Sequence, residues 1–342
     1  MTVRVDGFEP ILDALRSSAD EYFGDPAADL RPASRLERPF SSLLRVQVRT
    51  RPREFHIFLK VFKPRSGTPD DLAQLRRWVE REFTAAARLH AAVAQRAGLT
   101  AVRPIALFPD RLALVTEEAS GTPFDSLIRR AQWGRHVAAP PADVAFRVGA
   151  WIRAYQEVTD SDGILSLSER REYLDTRLRK LLEADVVSAS DRASALERFD
   201  ALAGVLDAAR LPLVGIHADL CPPNILVDDG GGVTVLDFAM AKTGAALHDL
   251  SHLFLHLEFQ RWRPRPRRRL LADAQRQLLA GYRAGLEPQD PLFQLLLLQH
   301  VVCHIALLTE QAQGAAAPVR LSLARRRWRQ CGEIEAAVAS SR

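Results

Sequence analysis

Residues Gly215–Lys242 read GIHADLCPPNILVDDGGGVTVLDFAMAK, and the fold is decided there. The stretch holds His217-x-Asp219, then Asn224 five positions after that Asp, then Asp237-Phe238 thirteen positions further on. Two β-like runs, Ile225–Val227 and Val233–Leu236, flank the turn Asp228-Asp229-Gly230-Gly231-Gly232. Glycine supplies the left-handed backbone a tight reversal needs, so this reads as a β-hairpin. An Asp and an Asn on its first side and an Asp at its far end can then converge on one point from two strand ends.

Working outward, residues 8–23 have the pattern of a short amphipathic helix. Strand-like runs follow at Ser34–Arg38, Leu43–Arg49 and Glu54–Phe62, the last two joined by a turn at Thr50-Arg51-Pro52-Arg53. Asp70-Asp71 is expected to cap a long helix reaching about Arg96. Two more strands are expected at Val102–Leu107 and Leu112–Glu117. Residues 123–210 are helical in pattern, 213–238 carry the hairpin, and helical patterns resume from 246. The expectation is an α+β chain of two lobes. Residues 1–118 form a small antiparallel-sheet lobe with one long helix. Residues 119–342 form a larger, mostly helical lobe bearing the hairpin, with a ligand cleft at the junction. Ala119-Ser120-Gly121-Thr122-Pro123 breaks both patterns and marks the boundary.

Composition agrees with a globular chain: 342 residues, 47% hydrophobic and 26% charged. No apolar run approaches the length needed to cross a bilayer. The most apolar, Leu295–Leu308, is broken by Gln299, His300 and His304 and reads as a buried helix. The N-terminus lacks the apolar segment of a signal peptide. Three widely separated cysteines (Cys221, Cys303, Cys331) give neither a disulfide framework nor zinc-ligand spacing, and a reducing cytoplasm is expected. Only four of the 47 basic residues are lysine (Lys60, Lys63, Lys180, Lys242), so a retained lysine stands out.

The hairpin set matches what phosphoryl transfer demands. A carboxylate must orient the attacking hydroxyl, and magnesium must be held by a few hard oxygens beside the phosphates. HADLCPPNILV followed by VLDFA resembles the catalytic loop and metal-binding segment of the aminoglycoside phosphotransferase and choline kinase superfamily, which shares the protein-kinase-like fold. Protein kinases write H-R-D-x-x-x-x-N and D-F-G. Here Ala218 replaces the Arg and Ala239 the Gly, which favours the small-molecule branch. The resemblance implies Asp219 as catalytic base, Asn224 and Asp237 as magnesium ligands, His217 as a structural partner of the loop, and ATP or GTP with Mg2+ as cofactors.

Other segments extend the resemblance. In FHIFLKVFK, alternation puts Phe58, Lys60 and Phe62 on one strand face. Lys60 resembles the strand lysine that holds nucleotide phosphates; the bland alternative is an exposed edge-strand lysine. Glu82 shares a helical stripe with Ala86 and Leu89, which suits the ion pair that positions this lysine, and it ranks ahead of Glu80. Leu112–Glu118 resembles the fifth strand and hinge, where backbone at Thr116, Glu117 and Ala119 would bind the nucleobase; an ordinary strand ending in a turn reads the same. The nucleotide loop, Arg38-Pro39-Phe40-Ser41-Ser42, has no glycine, and there Ser41 and Ser42 would offer donors to phosphate. By the same resemblance Phe58 would narrow the base pocket. Asp249 resembles the acid that stabilises the catalytic region, and Leu279–Gly285 a recurrent segment without chemistry. Cys221 reads as a small filler or a modifiable thiol.

Arg261–Arg269 (RWRPRPRRR) and Arg325–Arg329 (RRRWR) are intensely basic. Such a surface repels a polycationic sugar, so a neutral or anionic acceptor is expected rather than an aminoglycoside; the alternative is a solvated Arg-rich loop. A second reading is a kinase of lipopolysaccharide-type glycolipids with peripheral membrane contact through 261–269, and a third a nucleotide-binding pseudokinase. No nucleic-acid partner is expected, since only Trp262 and Trp328 accompany these arginines.

Overall fold

A computed structural model describes residues 7–93, 99–159, 163–206, 211–261, 268–312 and 317–339, with the side chains of 261, 268 and 330–339 excepted. The chain divides into two compact units. One comprises 1–130, 136–139 and 223–241; the other comprises 131–135, 140–222 and 242–342. The expected boundary at Glu118 falls inside the first unit, because the hairpin after Pro223 pairs with strands on both sides of that position.

In the first unit, α1 (Glu9–Ser17) and α2 (Ala19–Phe23) replace the single expected helix, with a break at Ser18. Strands β1 (Asp29–Glu37), β2 (Ser41–Arg49), β3 (Glu54–Phe62), β5 (Pro104–Phe108) and β6 (Ala113–Glu117) form an antiparallel sheet in the order β1-β2-β3-β6-β5. Alternation sends Leu44, Val46, Val48, Ile57 and Leu59 to one face, where Ile11, Leu12 and Leu15 of α1 cover them. Each such fully buried side chain contributes about 1.5–3 kcal/mol. The other face presents Phe62 and Leu114 to Leu75 and Val79 of α3 (Pro69–Val93). The cap of α3 differs from expectation. Thr68 precedes the helix and its hydroxyl accepts from Asp71 N at 3.4 Å, while the Asp71 carboxylate gathers the amides of Arg65, Ser66 and Gly67. Short polar side chains at such positions satisfy donors the helix leaves open.

The hairpin becomes the centre of a second sheet. Strands β9 (Ile225–Val227) and β10 (Val233–Val235) pair antiparallel; β4 (Leu99–Ala101) joins β10 in parallel and β7 (Thr122–Pro123) joins β9. Gly121 adopts φ +134°, and a Cβ there would lie 2.8 Å from the Val227 carbonyl oxygen, so this crossing needs glycine. Helix α4 (Phe124–Gln132) follows.

The second unit is helical: α5 (Pro141–Glu157), α6 (Leu167–Glu183), α7 (Ala189–Leu206), α8 (His248–Arg261), α9 (Arg268–Tyr282), α10 (Pro291–Glu310) and α11 (Ala317–Ala339). A small ribbon, β8 (Leu213–Ile216) with β11 (Lys242–Ala245), joins them. Gly281, inside the recurrent Leu279–Gly285 segment, lets α9 press against α5, since a Cβ there would collide with the Phe146 carbonyl. Helix α10 corrects one expectation. It is long and apolar enough to cross a membrane, yet it lies buried against α6, α7, α8 and α11 as a core helix.

Candidate active site

In the first unit, a cavity of about 330 Å³ opens beside β3 and the second sheet. That is within the usual size of small-ligand sites. Ser41, Phe58, Lys60, Glu82, Thr116, Glu117, Ala119, Asn224 and Asp237 all line it. The Lys60 ammonium sits 2.9 Å from Glu82 Oε1 and 2.8 Å from Asp237 Oδ1, and 4.7 Å from the Phe62 ring centroid. Strand alternation aims Lys60 to the α3 side, and Glu82 meets it from the buried stripe of that helix. Burial works against the Lys60 charge, but the two carboxylates outweigh it and hold the ammonium above its ordinary pKa.

Hairpin pairing brings the two oxygen donors together. Asn224 immediately precedes β9 and Asp237 follows β10, and the Leu236 amide donates to the Asn224 carbonyl at 2.9 Å. Asp237 is held at φ 67°, a left-handed conformation costing a non-glycine residue about 1–3 kcal/mol. Its side chain remains 46% exposed, against 8% for Glu82. A carboxylate and an amide oxygen at one hairpin end form a hard-oxygen pair that suits magnesium.

The end of β6 is pinned. Arg45 forks onto Glu118 at 2.9 and 2.7 Å, and the Glu117 and Glu118 amides donate to the Arg103 and His56 carbonyls. The Ala119 amide makes no hydrogen bond among the described residues. The loop between β1 and β2 is shorter than expected, because β2 already begins at Ser41. Ser41 lines the cavity. Ser42, the next residue on an alternating strand, instead donates to Glu37 Oε2 at 2.7 Å and is absent from the lining. Lys63 also grips Glu37 at 2.5 Å and the Arg38 carbonyl at 2.9 Å. With Ser42 and Arg35 also bonded to it, Lys63 draws the Glu37 carboxyl down to about 2.

In the second unit, the loop carrying Asp219 hangs on one buried carboxylate. Asp249 accepts the His217 amide at 2.7 Å and the Ala218 amide at 2.9 Å, and His248 Nδ1 lies 3.2 Å away. Burial pushes the Asp249 carboxyl up, but His248 and these donors prevail and hold it below the ordinary range. The Asp219 amide donates to His217 Nδ1 at 3.3 Å, and the His217 side chain is fully buried. Ala218 sits at φ 64°, a second strained residue inside the motif. Asp219 itself is half-buried.

Sequence reasoning missed the apolar lining from Val102, Leu226 and Leu236 and the Arg45–Glu118 clamp. Apolar residues on a strand carry no signal that separates lining from core. Cys221 is half-buried, and neither it nor Cys303 forms a disulfide. Residues 262–267 of the basic segment lie outside the described residues. In the other basic run, the Arg327 guanidinium stacks 4.7 Å from the Phe259 ring centroid and Arg325 donates to the Asp185 carbonyl.

Residues 34–288 match the phosphotransferase enzyme family, and the chain belongs to it. A comparison with curated proteins finds no match. Among solved structures, the fold is similar to an aminoglycoside phosphotransferase from Alicyclobacillus acidocaldarius, with a TM-score of 0.55 and 18% identity over 94% of this chain and 93% of that one. It is also similar to a choline kinase from Streptococcus pneumoniae (TM-score 0.51, 14% identity, 94% and 99% covered). A macrolide 2'-phosphotransferase from Brachybacterium faecium matches as well (TM-score 0.50, 18% identity, 92% and 97% covered). The α+β architecture of antiparallel sheet and helical region is thus that of the aminoglycoside phosphotransferase and choline kinase group.

Proposed function

We propose that this phosphotransferase is a magnesium-dependent small-molecule kinase, moving the terminal phosphoryl of ATP or GTP to a hydroxyl of a neutral or anionic acceptor. The observation that carries the reading is the Lys60–Glu82–Asp237 cluster on a cavity that Asn224 also lines. A lysine ammonium fixed by a buried glutamate is a ready partner for nucleotide phosphate. Neighbours of the same fold hold ADP in one structure and ATP with streptomycin in another, which supports nucleotide use.

In this reading Asp219 accepts the proton of the acceptor hydroxyl as its oxygen bonds to phosphorus and the nucleoside diphosphate leaves. Lys60 holds the phosphates, and Glu82 keeps Lys60 aimed. Ser41 contributes a donor at the phosphate side; Ala119, with Thr116 and Glu117, meets the base. Magnesium, when bound by Asn224 and Asp237, supplies charge neutralisation at the phosphates.

The test is a metabolite-library screen for phosphorylated product with ATP and with GTP, using Asp219→Asn as control. Product that depends on Asp219 supports the reading. Nucleotide binding without any turnover across the library favours the pseudokinase instead. Turnover confined to glycolipid acceptors in anionic vesicles selects the glycolipid kinase.

A further inference from the structure

Helix α8 carries His248, His252 and His256 at four-residue spacing, and α10 carries His300 and His304 likewise. Helix α10 packs against both α8 and α6. The imidazoles form a continuous row. Ring centroids lie 4.5 Å apart for His248 and His300, 4.9 Å for His252 and His300, and 4.7 Å for His252 and His256. Burial holds His252 at about 3 and His256 and His304 at about 4, so at neutral pH these rings are uncharged. The Nδ1 atom of His252 is buried and has no hydrogen-bond partner among the described residues.

Arg170, which acts electrostatically on His300 of this row, has no carboxylate partner among the described residues. Three of the four arginines of α6 have carboxylate partners: Arg171 with Asp200, Arg177 with Glu310 and Arg179 with Asp175. Arg170 is half-buried, and among the described residues its guanidinium donates to the neutral Gln299 Oε1, at 3.3 Å, and to no carboxylate. Burial pulls Arg170 below its ordinary pKa, against weaker opposition from Tyr173, Cys303 and Glu169. A desolvated cation without a partner is costly and is seldom kept for stability. The row also reaches the loop of Asp219: His300 Nε2 lies 3.1 Å from the His248 carbonyl, and His248 contacts the Asp249 that holds His217 and Ala218.

We propose that Arg170 and the imidazoles beside it bind an oxyanion, a carboxylate or phosphate, carried by the acceptor. This rests on the kinase reading for its role, though the site can be tested without turnover. The guanidinium supplies the charge, and uncharged rings add donors without repelling it. A polycationic acceptor would face the same guanidinium unfavourably.

The experiment saturates the nucleotide cavity with a non-hydrolysable ATP analogue and magnesium. Glycerol 3-phosphate, glycerate and neutral glycerol are then titrated by calorimetry and thermal unfolding. The phosphate and carboxylate arms identify which oxyanion is preferred. Wild type is expected to bind at least one anion and not glycerol. Arg170→Gln should weaken that binding at least tenfold, and Arg170→Lys should keep part of it. Without ligand, Arg170→Gln should unfold at the same or a higher temperature than wild type. Unchanged anion binding in Arg170→Gln, no anion binding by wild type, or a sharp fall in the ligand-free midpoint each overturns the assignment. If Arg170-dependent anion binding persists while no acceptor is phosphorylated, the subsite stands and the kinase reading falls.

Discussion

Two regions of this chain handle buried charge in opposite ways. In the cavity of the first unit the Lys60 ammonium is matched by two carboxylates. On the helical face of the second unit the imidazoles are kept neutral and Arg170 is left with an amide. The difference teaches what each is prepared for. A matched lysine is held in place, in the proposed reading for a phosphate that takes over one of its contacts. An unmatched guanidinium marks where the missing charge arrives with the ligand.

The largest effect should come from Asp219→Asn, which removes the carboxylate proposed as the base. Phosphoryl transfer should fall by about 10²–10⁴-fold while nucleotide binding is retained, read by product formation and by calorimetry. Undiminished turnover would detach the chemistry from this loop. Next is Lys60→Ala, which leaves Glu82, 8% exposed, without its cation. Denaturant unfolding should show a loss of about 3 kcal/mol, and Lys60→Met with Glu82→Leu should recover most of it while nucleotide affinity stays lost. If the single and double variants are equally stable, the cavity pair is not matched in the sense argued here.

The histidine row makes a smaller, pH-dependent prediction. For His252, His256, His300 and His304 the folded pKa lies below the unfolded value of 6.5, so the unfolded chain takes up protons first as pH falls. Their contribution is complete above pH 6.5 and is lost on descent toward about 4, at up to about 1.4 kcal/mol per pH unit for each ring. Asp249 near His248, Arg170 near His300 and Arg327 near His304 are the charged groups that modulate this. His256→Gln should flatten the dependence of unfolding free energy on pH between 6.5 and 4.5; an unchanged slope would show the ring is not buried neutral. The smallest effect is Arg45→Ala at the half-exposed Glu118 clamp, expected to cost about 1 kcal/mol or less in urea unfolding.

Much of the site was legible because its chemistry needs rare residue types at fixed spacing. Lys60 stood out in an arginine-rich chain, Glu82 kept an apolar stripe together, and the Gly-rich turn announced the hairpin. Less legible were features set by distant pairing. The three-residue β4 has no readable period, and it exists because β10, more than a hundred residues on, offers it an edge. Ser42 looked like a twin of Ser41 until the start of β2 put the two on opposite faces. The histidines at 248, 252, 256, 300 and 304 were visible as letters, but two helices had to pack before they became one row.

By itself, then, the sequence determined the family, the succession of sheet and helical regions, and the candidates proposed to hold phosphate, metal and proton, because backbone periodicity and functional-group chemistry are local properties. Only the tertiary structure decided which charges are matched and which are not. Pairing and desolvation depend on neighbours brought from afar, as Gln299 is to Arg170 and Asp237 to Lys60.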